Sequence, residues 1–277
     1  MMEVRILLTL KYKNHLGETI DFGNKNYFTN SVGMRDYTWN YESDFNKIKS
    51  FNSSCITTKT LTVSIYTDND TDKYSLFNSI FEIFEKDVLS KIPGKFYFGD
   101  YYYSGYVISS VKKEYMPSQN LLTLDLTIAS DRNTWVYENL YTFTKNQPIS
   151  GHGYAYKYPY RYSSSNLKTF FNTALIDSDF KLTIYGSCSN PVIYIGGHPY
   201  SVATEIENGE YLEVDSREKT IYKVQPDGAK TNAISYRDRD NYIFKKIPSG
   251  VVPISWNNDF GFDITIYDER SEPLWSA

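Results

Sequence analysis

Alternation of apolar and polar residues dominates the first half of the chain. Residues 59–67 place Leu61, Val63 and Ile65 between hydroxyl-bearing neighbours, and residues 121–128 carry leucine or isoleucine at every second position. A period of two is typical of a strand with one buried face. Residues 4–12, 35–41 and 101–114 are further predicted strands, and a turn at 117–120 would fold 101–114 and 121–128 into a long antiparallel hairpin.

A helical period appears once in this half of the chain. A stripe of apolar residues recurs at steps of three and four between the N-cap candidates of DNDTD at 68–72 and the Pro93-Gly94 stop signal. The stripe consists of Phe77, Ile80, Phe81, Phe84 and Val88. It is interpreted as the core-facing side of an α-helix, because such stripes form core far more often than ligand pockets.

The second half of the chain predicts a different architecture. Residues 131–175 are rich in Tyr, Gly and Pro and interrupt the pattern, whereas short strand-like segments recur from residue 180 to the end. Such spacing is typical of a β-sandwich of jelly-roll type. We therefore expect a mainly β protein, with a β-rich domain containing one helix at 1–131 and a sandwich at 132–277.

Composition supports a mainly β protein and excludes some classes of partner. The 277 residues include 27 Tyr and 16 Phe, which suit half-buried pleated surfaces and wet interfaces. The net charge of −4 and the lack of dense Lys/Arg runs argue against a protein that grips nucleic acid, so any DNA contact is expected to be passive. The start of the chain shows neither a signal-peptide pattern nor the about 20 apolar residues of a membrane span.

Candidate chemistry is sparse, and we expect no catalysis, no metal and no cofactor. The histidines lie without metal-ligand spacing, and no GxSxG, P-loop or GxGxxG motif occurs. The two cysteines are interpreted as incidental thiols. Carboxylate pairs at 205/207 and 213/215 keep a glycosidase open as a weak alternative. The residues concerned are His15, His152, His198, Cys55, Cys188, Glu205, Glu207, Glu213 and Asp215.

Segments along nearly the whole chain resemble a known family. In the first half these are KTLTVSIYTDND, EIFEKDVLSKIPGKFYFGDYYYSGYV and LLTLDLTIAS; in the second, GYAYKYPYRY, the long stretch from FNTALIDSDF to EKTIYKV, and YRDRDNYIFKKIPSG. The IPSG element at 247–250 and RSEPLW at 270–275 are the most specific. The sequence is similar to the distal tail proteins (Dit) of siphophages that infect Gram-positive bacteria.

The resemblance implies a structural role in the virion. A distal tail protein forms a hexameric ring through its N-terminal domain and carries a galectin-like C-terminal domain outside the ring. Its neighbours are the tail-tube protein and a tail-associated hub or lysin protein, and a receptor-binding protein is a further partner that the family allows. The chain would be assembled in the host cytoplasm and act at the distal end of a long non-contractile tail.

Candidate contact residues follow from strand edges that need a partner. The expected ring interface comprises Tyr27, Phe28, Arg35, Tyr37, Trp39, Tyr101, Tyr102 and Tyr103. The alternative is a carbohydrate- or receptor-binding module of the tail tip, for which alternating tyrosines could stack on sugars. Those tyrosines are Tyr154, Tyr156, Tyr158 and Tyr160.

Overall fold

The computed structural model describes residues 10–29, 33–52, 56–68, 73–145 and 168–274. Within these ranges the chain is mainly β and contains a single α-helix, so the predicted fold class is confirmed. The described residues form two compact units. The first holds those up to Tyr137 and those from Glu269 onward, and the second is Glu138–Asp268.

The first unit is built around strands of very different length. Its elements are β1 (Leu10–Lys13), β2 (Thr19–Asp21), β3 (Tyr27–Phe28), β4 (Asn40–Asp44), β5 (Lys47–Asn52), β6 (Thr57–Tyr66), α1 (Lys73–Ser90), β7 (Gly94–Phe98), β8 (Tyr101–Met116), β9 (Leu121–Ser130) and the beginning of β10 (Trp135–Phe143). Residues 33–35 form a short 3-10 turn.

Strand β9 is central, because it pairs antiparallel with β6 along one edge and with β8 along the other. Its leucines face those of β6 on the buried side, with Leu61 opposite Leu126 and Val63 opposite Leu124. Up to Gly105, β8 pairs instead with β7, which continues through β1 to β2. Beyond Gly105, β8 pairs in the described residues with β9 alone, so its outer edge is open.

The helix buries a narrower stripe than the sequence predicted. Phe77, Ile80 and Phe84 lie in the core as expected, and Asp87 continues the buried line. Phe81 is half-buried and packs against this core, whereas Val88 is 41% exposed, so the expectation that Val88 faces the core is wrong. Val88 lies at the margin of the apolar stripe.

Three further expectations need correction. The predicted strand at 35–41 is largely irregular, since the 3-10 turn ends at Arg35 and β4 begins only at Asn40. The Tyr-rich stretch after residue 131, interpreted as irregular, contains β10, in which Trp135 and Val136 are both buried. Residues 269–274 belong to the first unit although the sequence assigned them to the second, and Pro273 is buried there as an acceptor for Arg35.

The second unit is a β-sandwich. It contains the end of β10, β11 (Lys168–Asn172), β12 (Phe180–Tyr185), β13 (Cys188–Ser189), β14 (Val192–Ile195), β15 (His198–Ser201), β16 (Glu205–Ile206), β17 (Tyr211–Asp215), β18 (Thr220–Val224), β19 (Lys230–Asn232), β20 (Gly250–Ser255) and β21 (Phe262–Arg270). One sheet runs β19-β18-β17-β12-β21 and the other β11-β20-β14-β15. Their inward residues share one core. The face-to-face packing of two antiparallel sheets explains the alternation seen in the sequence.

The IPSG element is held by a buried amide. Asn172 Nδ2 donates to the carbonyl oxygens of Ile247 (3.3 Å) and Pro248 (3.0 Å). Ser178 and Ile247 exchange backbone hydrogen bonds, and Gly250 adopts φ +86°, where a side chain would be strained. The motif therefore has a structural role at the start of β20.

We expect Phe84→Ala to lower the free energy of unfolding of the first unit by about 3–5 kcal/mol, because it leaves a cavity beside Ile80. The matched substitution Phe81→Ala should cost much less, since Phe81 is already half in solvent. Urea titration followed by the fluorescence of the buried Trp135 measures both changes. Equal losses for the two variants would show that Phe81 also belongs to the core.

Candidate functional site

The hairpin formed by β4 and β5 is the most exposed part of the first unit. Every described side chain from Asp36 to Phe51 is exposed, and in the described residues the two strands pair only with each other. Large apolar side chains nevertheless occupy much of it. They are Tyr37, Trp39, Tyr41, Phe45, Ile48 and Phe51. A two-stranded ribbon with exposed apolar residues is marginal in water, so this surface indicates a contact with another molecule.

Two of the predicted interface residues lie at the base of this hairpin. Tyr37 and Trp39 are exposed, and the Trp39 ring lies edge-on to Phe51 at 6.4 Å between centroids. Asn133 Nδ2 donates to the Thr38 carbonyl oxygen at 2.9 Å and so fixes the entry beside the end of β9. Both aromatic side chains are available to a neighbouring molecule.

Tyr27 and Phe28 form β3 and are half-buried. The Tyr27 hydroxyl donates to the Leu76 carbonyl oxygen at 3.1 Å and lies 2.9 Å from Ser79 Oγ. Burial raises the pKa of Tyr27, and the hydrogen bond with Ser79 partly opposes this shift. Tyr27 therefore attaches β3 to the helix, and both residues of β3 expose only part of their surface.

Arg35 is buried within the first unit. Its Nη2 donates to the Pro273 carbonyl oxygen at 2.7 Å, and its guanidinium lies 4.6 Å from the centroid of the Phe98 ring. Burial lowers the pKa of Arg35, while the nearby Glu272 carboxylate raises it. The structure thus places Arg35 in an internal contact that joins Pro273 to the first unit, and its expected contact with a neighbouring subunit stays a prediction.

Lys59 lies close to this cluster and was missed by the sequence analysis. Its Nζ donates to the carbonyl oxygens of Met34 (2.9 Å) and Asp36 (2.5 Å) and lies 5.0 Å from the Tyr103 ring centroid. Burial lowers the pKa of Lys59 to about 8, opposed by the negative charges of Asp36 and Glu272. Its position in the β6 alternation, two residues before Leu61, was the available signal.

The three tyrosines at the start of β8 are mostly internal. Tyr103 is fully buried against Trp135, and Tyr102 is buried beneath Lys95, whose Nζ lies 3.9 Å from the ring centroid. Only Tyr101 is half-exposed. Here β8 is paired on both edges, by β7 and β10, which removes Tyr102 and Tyr103 from the surface offered to another subunit.

A second exposed apolar surface lies between the C-terminal half of α1 and β8, and we call it the α1–β8 groove. It has a volume of about 500 Å³ and adjoins the open edge of β8, where a bulge follows Val107. Its lining is Phe81, Phe84, Glu85, Val88, Leu89, Val107, Ile108, Ser109 and Ser110. The helical period in the sequence does not reveal this groove, because it places both Phe81 and Val88 on the core-facing side.

A buried carboxylate joins α1 to β1. Asp87 accepts hydrogen bonds from the Tyr12 hydroxyl, from the His15 backbone N–H (2.9 Å) and from His15 Nδ1 (2.5 Å). Burial, followed by the hydrogen bond to Asp87, raises the pKa of Tyr12 far above its usual range. A Cβ on Gly94 would collide with both Tyr12 and Asp87, so a glycine is required there.

Three of the groups considered for catalysis have structural partners, whereas the side chains of Glu205 and Glu207 are exposed. His198 Nε2 lies 3.0 Å from the Tyr242 carbonyl oxygen. Glu213 pairs with Lys181 (2.8 Å) and Lys230 (3.3 Å), and Asp215 Oδ1 accepts two backbone N–H groups of the following turn. Among the described residues, no group of three or more His, Cys, Asp or Glu could hold a metal ion. No helix in the described ranges is long and apolar enough to span a membrane.

The candidate sugar-contact residues Tyr154, Tyr156, Tyr158 and Tyr160 lie outside the described residues, as do His152 and Cys55. Cys188 is half-buried at the start of β13, and its Sγ lies 3.9 Å from the Tyr185 carbonyl oxygen. Burial raises the pKa of this thiol, partly opposed by Lys145. A raised pKa lowers the thiolate fraction and therefore the reactivity of Cys188.

Solved structures of phage baseplate proteins share this architecture from end to end. A chain of the phage P2 baseplate in its activated conformation with calcium matches with a TM-score of 0.63 and 14% identity, covering 96% of this chain and 99% of that one. The Dit protein of SPP1, described as a paradigm of the hub adsorption apparatus in phages infecting Gram-positive bacteria, matches with a TM-score of 0.60 and 9% identity, covering 95% and 98%. The chain has the Dit fold.

The resemblance seen in the sequence is therefore confirmed at the level of the fold. The P2 baseplate with strontium gives the same result, with a TM-score of 0.62 and 14% identity. No protein-family model and no curated protein sequence matches the chain. Because the Dit fold covers both units, the likeness concerns the complete architecture rather than a common sandwich alone.

We expect the stability of the first unit to rise between about pH 8 and pH 10.5 through Lys59. Its folded-state pKa lies below its unfolded value of 10.5, so the unfolded chain binds more protons in this window and folding gains as pH increases. The gain should approach about 3 kcal/mol relative to Lys59→Met, which has no such group. Urea unfolding of both proteins across this window tests the sign. A difference independent of pH would contradict it.

We expect Asp87→Asn to lower the free energy of unfolding of the first unit by about 3 kcal/mol. The amide supplies one acceptor where Tyr12 and His15 require three hydrogen bonds, and it leaves buried polar groups unsatisfied. Glu82→Gln, on an exposed position of the same helix, is the matched control and should change stability by less than about 0.5 kcal/mol. Thermal unfolding that is equal for the two variants would refute the role of Asp87.

Proposed function

We propose that the chain is a structural distal tail protein that forms a hexameric ring at the end of a long non-contractile phage tail. The ring joins the tail-tube protein to the tail-associated hub or lysin protein and to host-adhesion proteins, including a receptor-binding protein. The second unit lies outside the ring. The chain acts in the virion after assembly in the host cytoplasm.

The observation that carries this proposal is the surface of the first unit. Its three-stranded core β6-β9-β8 has an exposed apolar hairpin beside β6 and an open strand edge with an apolar groove beside β8. A unit with different unsatisfied surfaces on its two sides forms head-to-tail contacts, and such contacts close into a ring when the rotation permits. The Dit fold supports a tail hub as the setting, although a fold alone does not decide function.

Charge and chemistry agree with a passive scaffold. The net charge of −4 suits a channel through which DNA passes without binding. His15, His198, Glu213 and Asp215 already bond to the protein itself, which supports a non-enzymatic role.

The full-length protein should therefore form six-fold rings. We expect native mass spectrometry to give a hexamer whose population rises with protein concentration, because the interface lacks its tube and hub neighbours, and negative-stain images to show closed rings. A glycan-array measurement on the same preparation distinguishes the ring-forming protein from the alternative, a carbohydrate-binding module. A protein that stays monomeric at every concentration and binds cell-wall glycans would support the carbohydrate-binding module instead.

A further inference from the structure

We propose that the tip of the β4–β5 hairpin inserts into the α1–β8 groove of a neighbouring copy of the chain. The inference rests on the proposed ring and names the two surfaces that join its subunits. It commits to a second copy as the occupant of the groove.

The hairpin tip presents large apolar side chains that are not buried in its own unit. Phe45 is fully exposed and has φ +50°, in the left-handed region that favours glycine or asparagine and penalises a bulky residue. Ile48, just beyond the turn, is also exposed. An aromatic ring held in water on a strained backbone indicates a contact made elsewhere, because such strain is typical of binding sites.

The α1–β8 groove is a mainly apolar cleft and therefore suits the apolar side chains of the hairpin tip. Phe84 and Val107 form a buried floor, while Leu89 (80% exposed) and Ile108 (57% exposed) stand at the opening. The volume of about 500 Å³ lies within the range of roughly 300–1,000 Å³ found for clefts that enclose a ligand. Ile108 lies in the bulge of β8, where the outer edge of that strand has no partner strand among the described residues.

The two surfaces adjoin different strands of one sheet. The hairpin emerges beside Thr57 at the start of β6, the groove adjoins β8, and β9 separates the two strands. The groove contains no hairpin residue of its own chain. Copies related by rotation can instead place the hairpin of one subunit at the groove of the next, which is a heterologous contact repeated around a ring.

Both surfaces carry charged side chains of each sign around their apolar centres. Asp44 and Lys47 pair across the hairpin next to Phe45. Glu85 lies at the groove rim, and Lys112 Nζ lies 4.5 Å from the centroid of the Phe81 ring beside it. Each surface carries one acid and one base, so opposite charges can meet around the aromatic anchor. An apolar centre with a charged rim is the usual anatomy of an interface, and the rim charges set its register.

Two exposed substitutions test the pairing without disturbing the fold. Phe45→Glu and Leu89→Glu should each raise the dissociation constant between subunits by about 30-fold or more, the effect of losing a central anchor. Phe171→Glu, on an aromatic residue of the second unit that is 57% exposed, is the matched control and should leave the constant unchanged. Analytical ultracentrifugation measures all three.

Mixing the two variants gives the sharpest readout. The Phe45→Glu subunit keeps an intact groove and the Leu89→Glu subunit an intact hairpin, so the mixture should form 1:1 dimers by native mass spectrometry but no rings. If both variants still form rings like those of the wild type, the docking inference is overturned and the ring proposal stands. A wild-type chain that stays monomeric would overturn the ring, and the docking with it.

Crosslinking provides an independent measurement on assembled rings. In a Cys55→Ser, Cys188→Ser background, Phe45→Cys combined with Leu89→Cys should give a ladder of disulfide-linked subunits up to the hexamer under mild oxidation. The control pair Phe45→Cys with Phe171→Cys should give none. Rings that yield no ladder with the first pair would contradict the proposed contact.

Discussion

The pairing of β9 on both of its edges is the constraint on which the first unit depends. Leu122, Leu124, Leu126 and Ile128 lie on its buried side, and slipping the register by one residue would move all four to the opposite face. This fixed register holds β6 and β8 two strand positions apart. The exposed hairpin precedes β6 and the open half of β8 lies on the other side of β9, and these are the two surfaces that the proposed ring would use.

Buried charges attach the remaining elements to these strands. Asp87 connects α1 to Tyr12 and His15, Arg35 connects the 3-10 turn to Pro273, and Lys59 connects β6 to the carbonyl groups of Met34 and Asp36. Each ion has lost water, so its hydrogen bonds must replace that solvation. Several groups that suggest catalysis or binding in the sequence thus have internal, structural partners.

The β4–β5 hairpin and the α1–β8 groove remain exposed after these internal contacts are made, and both are apolar. The proposed function depends on these two surfaces. The second unit buries its inward residues in its own sandwich but also exposes large apolar side chains such as Leu175 and Val251, and the first exposes the hairpin and the α1–β8 groove. Chains of phage baseplates share this fold over 95–96% of the chain. Their low identity, 9–14%, means that the contacts themselves must be argued from this chain's residues.

The sequence determined the classes of element, because a period of two in β6 and β9 and a helical period in α1 follow directly from which side chains avoid water. It also predicted the sandwich and the likeness to distal tail proteins. It did not reveal that Tyr102, Tyr103 and Arg35 are internal, that Val88 and Phe81 border a groove, or that residues 269–274 join the first unit. Those outcomes depend on which strand or segment lies beside each residue, and contacts between residues far apart along the chain leave no periodic signal. Only the tertiary structure decided which apolar residues form the core and which face a partner.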